Sequence, residues 1–123
     1  GRPALTRSEA EERFLGLVRK SGLVAPEANA RVAGYEVDFL WRAHRLVAEV
    51  DGYRYHSSTA AFEGDRRRGA DLVAAGLRVV RVTWRQLVEE PQGVVARLAA
   101  ALATGAPTGG AGTRPTAITR RGP

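Results

Sequence analysis

The chain has 123 residues and a mass of 13.2 kDa, which is the size of one compact domain. Hydrophobic residues make up 44% and charged residues 26% of the sequence, and this composition excludes a chain that is disordered throughout. Cysteine is absent, which excludes disulfides, thiolate nucleophiles and cysteine-based zinc sites. The sequence contains neither an apolar run long enough to span a membrane nor a signal-peptide pattern, so we expect a cytoplasmic protein without a membrane partner.

Positive charge is the second informative property of the chain. The formal net charge is +6, and Lys20 is the only lysine among the 19 basic residues. The others are arginines, which make planar, bidentate contacts to phosphate. Residues 104–123 hold three arginines and no acid, which leaves the preceding residues at only +3. The charge favours nucleic-acid binding, while a solvated basic surface is the simpler alternative.

The composition changes towards both ends of the chain. Methionine is absent, so we expect a processed piece of a longer protein, with residues 1–7 as a flexible remnant and an upstream domain as a further partner. Over residues 104–123, glycine and proline alternate with very few large apolar side chains, which predicts a disordered tail. The ordered domain is therefore expected over residues 8–103.

A helix followed by three strands is predicted for the first half of this domain. Ser8 as N-cap and Glu11 three residues later form a capping-box pattern, and apolar residues at helical spacing continue up to Gly22. This pattern predicts a helix over residues 8–21. Period-two patterning and two hairpin-turn signals then predict strands over residues 28–32, 35–41 and 45–51.

The second half of the domain adds one strand and three helices. A helix is expected over residues 59–75, ended by Gly76, and a fourth strand follows over residues 77–83. Thr83 then caps a short helix, and Pro91 opens the last one. The order α-β-β-β-α-β-α-α predicts an α/β fold in which helices flank a mixed four-stranded sheet.

Three acidic residues fall on two of the predicted strands. Alternate side chains of a strand share a face, so Glu49 and Asp51 point to the same side. If the strand of Asp38 pairs with theirs through the short turn, Asp38 comes opposite or diagonal to Glu49. Three converging carboxylates repel one another unless a cation is present, and Mg²⁺ prefers oxygen ligands and substrate phosphate. The same spacing also allows the simpler interpretation of three solvent-facing acids.

The combination of these motifs with others resembles a known family. The residues that carry the resemblance are Glu11, Asp38, Glu49-Val50-Asp51-Gly52, His56, Asp65-Arg66-Arg67-Arg68 and Gly76-Leu77-Arg78-Val79-Val80-Arg81. They are similar to those of the small endonuclease-like domains related to the very-short-patch mismatch endonucleases, in the restriction-endonuclease-like, PD-(D/E)xK, superfamily. The resemblance covers about residues 8–103 and implies a restriction-endonuclease-like core with metal-dependent phosphodiester hydrolysis at one end of the sheet.

The resemblance also implies roles for individual residues. Asp38 and Glu49 match acidic metal ligands, and Val50 would offer its backbone carbonyl to the same ion. Asp51 stands where many superfamily members have lysine, so either another group orients the attacking water or the domain binds without cutting. His56 matches a histidine that the mismatch endonucleases use near the site, whereas their structural zinc is held by cysteine and is not expected here.

Several further candidates have two interpretations each. Glu11 either completes the capping box or reaches towards the metal. His56 is either a general acid or base, or a loop histidine bonded to backbone. Nucleic-acid contacts are expected from residues that flank the site, although three consecutive arginines cannot all face one ligand. These candidates are Arg66, Arg67, Arg68, Tyr53, Tyr55 and Gln86.

The leading hypothesis is a Mg²⁺-dependent DNA endonuclease or nickase in which Mn²⁺ can substitute. Its catalytic residues would be Asp38, Glu49, Asp51, His56 and Glu11. A catalytically inactive nucleic-acid-binding module on the same fold is the alternative, and a toxin- or antitoxin-type interaction domain is a third. The sequence leaves open whether the substrate is DNA or RNA. Cutting both strands of a duplex would require two sites, which a homodimer would provide.

Overall fold

The computed structural model describes residues 6–51 and 59–105 of the chain, with side chains described from residue 63 onward in the second range. The predicted remnant up to residue 5, the segment that holds Tyr53, Tyr55 and His56, and the predicted tail beyond residue 105 lie outside the described residues. Within the described ranges, no helix is both long enough and apolar enough to cross a membrane.

Helices and strands follow one another in the predicted order. The elements are α1 (Arg7–Lys20), β1 (Glu27–Val32), β2 (Tyr35–Trp41), β3 (Leu46–Asp51), α2 (Thr59–Ala74), β4 (Arg78–Thr83), α3 (Trp84–Glu89) and α4 (Pro91–Thr104). A short 3-10 turn at Arg42–His44 links β2 to β3. Period-two patterning and turn residues therefore located the strands correctly, because both signals act within a few residues of the chain.

The four strands form one mixed sheet in the order β1-β2-β3-β4. β1, β2 and β3 pair antiparallel through short turns, whereas β4 lies parallel to β3. A parallel neighbour requires a crossover connection, and α2 lies in the stretch of chain that makes it. The predicted mixed sheet flanked by helices is confirmed.

Helices cover both faces of the sheet and so bury β3, one of its two central strands. On one face, Phe14 of α1 stacks on Phe39 of β2 with ring centroids 4.4 Å apart, in a cluster that also includes residues of α3 and α4. On the other face, Leu72 of α2 packs in a cluster with Val47 of β3. Full burial of such a side chain is worth about 1.5–3 kcal/mol. β3 therefore lies between the two layers, and its last residues reach the edge where the candidate site lies.

The start of α1 differs from the prediction. Its N-cap is Thr6, whose hydroxyl accepts the backbone N–H of Glu9 at 3.1 Å, while Oε1 of Glu9 accepts the backbone N–H of Thr6 at 2.9 Å. The predicted capping box of Ser8 and Glu11 is therefore wrong. The sequence holds the same pattern twice, two residues apart, and only the earlier copy caps the helix. The side chain of Glu11 is left for another role.

We expect Thr6→Ala to lower the free energy of unfolding by about 1 kcal/mol, because the N–H of Glu9 loses its acceptor. Ser8→Ala is the matched control and should change the free energy of unfolding by less than about 0.5 kcal/mol. Urea unfolding followed by circular dichroism measures both values. A larger loss with Ser8→Ala than with Thr6→Ala would contradict the observed cap.

Candidate active site

Two buried carboxylates lie where β2 and β3 stop pairing. The last paired residues on this side are Phe39 and Ala48, so Asp38 and Glu49 are the next position along the two strands. Here carboxylate oxygens take the place of backbone carbonyls as hydrogen-bond acceptors. Asp38 donates its backbone N–H to Oε2 of Glu49 at 3.0 Å, and Val50 donates its backbone N–H to Oδ2 of Asp38 at 2.8 Å. The prediction that Asp38 and Glu49 would be neighbours across the two strands is confirmed by these bonds.

A break in β2 accompanies the position of Asp38. Regular alternation would put Val37 on the same face as Phe39, yet Val37 packs in the α2-side cluster and Phe39 in the opposite one. On β1, the residue that would face Asp38 is Asn29, and this pair is missing from the otherwise regular register. Asn29 has a φ of 51°, a conformation that asparagine adopts more readily than most residues. The strand therefore changes phase at the residue whose carboxylate bonds to β3.

Two arginines, one from each helical layer, compensate the two acids. Nη1 of Arg68 on α2 lies 2.5 Å from Oε1 of Glu49. Nη2 of Arg7 on α1 lies 3.3 Å from Oδ1 of Asp38, and Nε of Arg7 bonds Oε2 of Glu11 at 3.2 Å. All four oxygens of the acid pair therefore accept one hydrogen bond each. Glu11, which does not cap α1, is connected to the site by its ion pair with Arg7.

Burial sets the protonation behaviour of the acids. It raises the pKa of Asp38 above its ordinary value, against the opposing effect of the Val50 N–H, and the charge of Glu49 raises the pKa further. Burial likewise raises the pKa of Asp51, with attraction from Arg81 opposing the shift and the charges of Asp65 and Glu49 adding to it. In both cases the negative form is disfavoured, so an added cation near these carboxyls would be stabilising.

The acid pair opens into a cavity of about 380 Å³. Its described walls hold five of the predicted site residues, together with two further arginines and two further acids. They are Arg7, Glu36, Asp38, Glu49, Val50, Asp51, Asp65, Arg68 and Arg81. Asp65 and Arg81 form an ion pair of 3.9 Å across this opening, between α2 and β4. Glu49 and Asp51 thus share a cavity as predicted, while Val50 packs its side chain into the core.

The donor set fits a magnesium ion, although not in the form predicted. The described residues contain no group of three or more His, Cys, Asp or Glu side chains arranged to hold a metal, so the expected convergence of three carboxylates on one ion is not found. Mg²⁺ usually takes only one or two protein carboxylates and completes its shell with waters and phosphate oxygens. The buried pair of Asp38 and Glu49, beside the backbone of Val50, meets that requirement.

The residues predicted to contact nucleic acid lie in different parts of the structure. Arg68 points into the cavity, whereas Arg66 lines a larger adjoining groove of about 1010 Å³ and Arg67 is exposed. The side chain of Gln86 caps α3, because its Oε1 accepts the backbone N–H of Thr83 at 3.0 Å. A helix cap therefore accounts for Gln86 without any substrate contact.

One residue that contacts the acid pair was not identified from the sequence. Arg7 was assigned to the predicted flexible remnant, yet it is the first residue of α1 and contacts Asp38 from 31 residues away. The only local signal was its spacing of four residues from Glu11, which allows a helical ion pair.

Comparison with known proteins gives a family match and two curated relatives. Residues 11–102 match the model of the family REase_MTES_1575, which is restriction endonuclease-like. Two curated relatives from Mycobacterium tuberculosis, Uncharacterized protein MT2308 of strain CDC 1551 / Oshkosh and Uncharacterized protein Rv2248 of strain H37Rv, are each 31% identical over 83 residues. The match covers 63% of this chain and 31% of each relative, so the chain spans about a third of their length.

A solved structure shares the fold. The catalytic domain of the homing endonuclease I-Bth0305I matches with a TM-score of 0.65, over 79% of this chain and 96% of that domain, at 21% identity. The likeness confirms a restriction-endonuclease-like α/β core, with the element order that the sequence predicted.

We expect Glu49→Ala to lower the free energy of unfolding by about 3 kcal/mol, because it leaves the Asp38 N–H and the Arg68 guanidinium without their buried acceptor. Glu27→Ala is the matched control, since it breaks the exposed ion pair with Arg42 and should lower the free energy of unfolding far less. Urea unfolding in the presence of EDTA measures both. Equal losses would contradict a structural role for the buried pair.

Proposed function

Because the chain belongs to the restriction endonuclease-like family REase_MTES_1575, we propose that it is a divalent-metal-dependent endonuclease domain that hydrolyses phosphodiester bonds in DNA. The proposed domain is residues 8–103, with Arg7 added to it because of its contact with Asp38. The proposal goes beyond family membership in three respects: the metal, the substrate and the residues that act.

The observation that carries the proposal is the buried acid pair at an open, arginine-lined cavity. Asp38 and Glu49 are 8% and 7% exposed, which is rare for carboxylates without a functional or compensating environment. Burial of two adjacent acids opposes folding because it disfavours their charged forms. Catalytic sites frequently contain such perturbed acids beside cations. The cavity also admits solvent, so a phosphate group has access to both the acids and the arginines.

Different residues of the site would bind the metal ion and the phosphate. Asp38, Glu49 and the backbone carbonyl of Val50 would hold Mg²⁺, for which Mn²⁺ would substitute. When bound, such an ion polarises a phosphate oxygen and lowers the pKa of water. Arg68 and Arg81 face the same cavity and would attract the phosphate oxygens.

Four predicted residues take supporting parts in this proposal. Asp51 lines the cavity next to the acid pair and would hold water at its mouth. Glu11 would act through Arg7, which it contacts, by fixing the guanidinium beside Asp38. His56 would assist proton transfer, and Tyr53 would stack on a base, both from the segment outside the described residues.

The choice of DNA rests on charge and on likeness. Arginines contact phosphate without regard to sugar type, so the excess of arginine in the chain favours a nucleic acid in general. The structural neighbour is named as a homing endonuclease catalytic domain, and homology at the level of fold makes DNA the first substrate to test.

A non-catalytic nucleic-acid-binding module is the second candidate, and one observation favours it. Each oxygen of the acid pair already accepts a hydrogen bond, and two arginines balance the two negative charges. A site compensated in this way is stable without a metal ion. Metal binding is therefore the property that distinguishes the two candidates.

We expect Asp38→Asn and Glu49→Gln each to reduce Mg²⁺-dependent cleavage of supercoiled plasmid by about 100-fold or more, because each removes a charged group at the reacting centre. Gel electrophoresis separates nicked from linear product and so distinguishes a nickase from a double-strand endonuclease. Glu27→Gln serves as the control and should cleave like the unmodified chain. Undiminished cleavage in both site variants would refute the assignment.

We expect Mn²⁺ at saturating concentration to raise the melting temperature by about 5 °C, because the ion binds only the folded acid pair. The Asp38→Asn/Glu49→Gln double variant should show no such shift. Thermal unfolding with Mn²⁺ alone and with DNA in EDTA measures both responses. A shift with DNA and none with Mn²⁺ would favour the binding module instead.

A further inference from the structure

Arg68 is half-buried, whereas its two neighbours in the arginine run, Arg66 and Arg67, are exposed. Its Nη1 bonds Glu49, its Nη2 donates to the backbone carbonyl of Glu36 at 2.8 Å, and its guanidinium carbon lies 5.8 Å from the ring centroid of Tyr35. The side chain is 20% exposed, against 56% for Arg7 at the other acid. Three independent contacts from two strands thus hold one guanidinium at the mouth of the cavity.

Part of this guanidinium remains available to a ligand. A guanidinium carries five N–H groups, and the contacts to Glu49 and Glu36 use one each from the two terminal nitrogens. Arg68 also lines the cavity that holds the acid pair. A phosphate group that enters the cavity can therefore bond to Arg68 without breaking its contacts to the protein.

The distribution of charge gives this position added weight. Many superfamily members have a lysine where this chain has Asp51, which is a further acid lining the cavity. Lys20, the only lysine of the sequence, lies in the last turn of α1. Arg7, whose contacts include Asp38 and Glu11, is largely exposed. Of the two arginines bonded to the acid pair, Arg68 is the more buried.

We propose that Arg68 is the positioning cation of the active site: it orients Glu49 and donates its remaining N–H groups to the phosphate that is cleaved. This inference rests on the proposed nuclease function and names a residue that the function does not by itself require. Because Arg68 already neutralises Glu49, it also lowers the affinity of the acid pair for a divalent ion. Removal of Arg68 should therefore strengthen metal binding and weaken catalysis.

The opposite direction of these two effects separates positioning from a purely structural role. If Arg68 only stabilised the fold, its loss would disorder Glu49 and weaken both metal binding and cleavage. If Arg68 acts as proposed, Arg68→Gln leaves a more negative site. The affinity for Mn²⁺ then rises about tenfold, the order expected for one unit charge near a divalent ion in solvent-exposed surroundings.

The experiment compares Arg68→Gln and Arg68→Lys with Arg42→Gln. Arg42 lies at the opposite end of β2 and makes an exposed bidentate pair with Glu27, so its loss removes the same charge away from the cavity. Isothermal titration with Mn²⁺ in the absence of DNA measures metal affinity. Single-turnover cleavage of plasmid at saturating Mg²⁺ measures the chemical step, and circular dichroism verifies that each variant folds.

We expect Arg68→Gln to bind Mn²⁺ about tenfold more tightly and to cleave about 100-fold more slowly than the unmodified chain. Arg68→Lys keeps the charge but cannot bridge Glu49 and Glu36, so it should keep its Mn²⁺ affinity within about twofold and cleave about tenfold more slowly. If Arg68→Gln does not fold, Arg68→Lys carries the test: slower cleavage at unchanged Mn²⁺ affinity supports the role of Arg68, and cleavage as fast as that of the unmodified chain refutes it. Arg42→Gln should match the unmodified chain in both measurements.

Two different failures are distinguishable in this design. If the unmodified chain cleaves and Arg68→Gln cleaves equally fast, or binds Mn²⁺ no more tightly, the role of Arg68 is refuted while the nuclease function stands. If the unmodified chain neither binds Mn²⁺ nor cleaves, the proposed function fails and the inference fails with it.

Discussion

Two hydrogen bonds between carboxylates and backbone link β2 to β3 where the regular pairing of these strands stops, and the rest of the site depends on them. Where regular pairing stops, Asp38 accepts the N–H of Val50 and Glu49 accepts the N–H of Asp38. A buried N–H without an acceptor would cost about 1–3 kcal/mol, so these carboxylates complete the hydrogen bonding of the sheet. Each uses one oxygen for this purpose, and the other oxygen meets an arginine. The same two side chains therefore link the two strands and supply the buried negative charge of the site.

The layered architecture brings opposite charge to this point from both sides. Arg7 arrives from α1 on one face of the sheet and Arg68 from α2 on the other. Their charges make the acid pair compatible with burial in the absence of a metal, yet burial still raises the pKa of Asp38. The two arginines thus balance the charge of the acid pair without removing the effect of burial. Under the proposed function, a divalent ion and a phosphate would bind to a site that is already assembled in the free protein.

Local signals were sufficient for the fold. Alternating apolar residues, a short turn and helix-terminating glycines act within a few residues of the chain, and the strands and helices they predict are those observed. The start of α1 was misplaced because Thr6-x-x-Glu9 and Ser8-x-x-Glu11 satisfy the same capping rule, and the sequence offers no means of choosing between them. The break of phase in β2 was not predicted either. It combines a positive φ at Asn29 with packing against both helical layers, neither of which is visible in a pattern of polar and apolar residues.

The sequence by itself determined that Asp38 and Glu49 would be neighbours, because a short turn returns the chain from the strand of Asp38 to the strand of Glu49. Only the tertiary structure decided which cations would reach them. Three consecutive arginines on α2 are equivalent in sequence, and it is the packing of α2 on the sheet that brings Arg68 to Glu49. Strand pairing follows a rule that acts between neighbouring residues, whereas the reach of a long side chain across 19 residues depends on where a whole helix comes to rest.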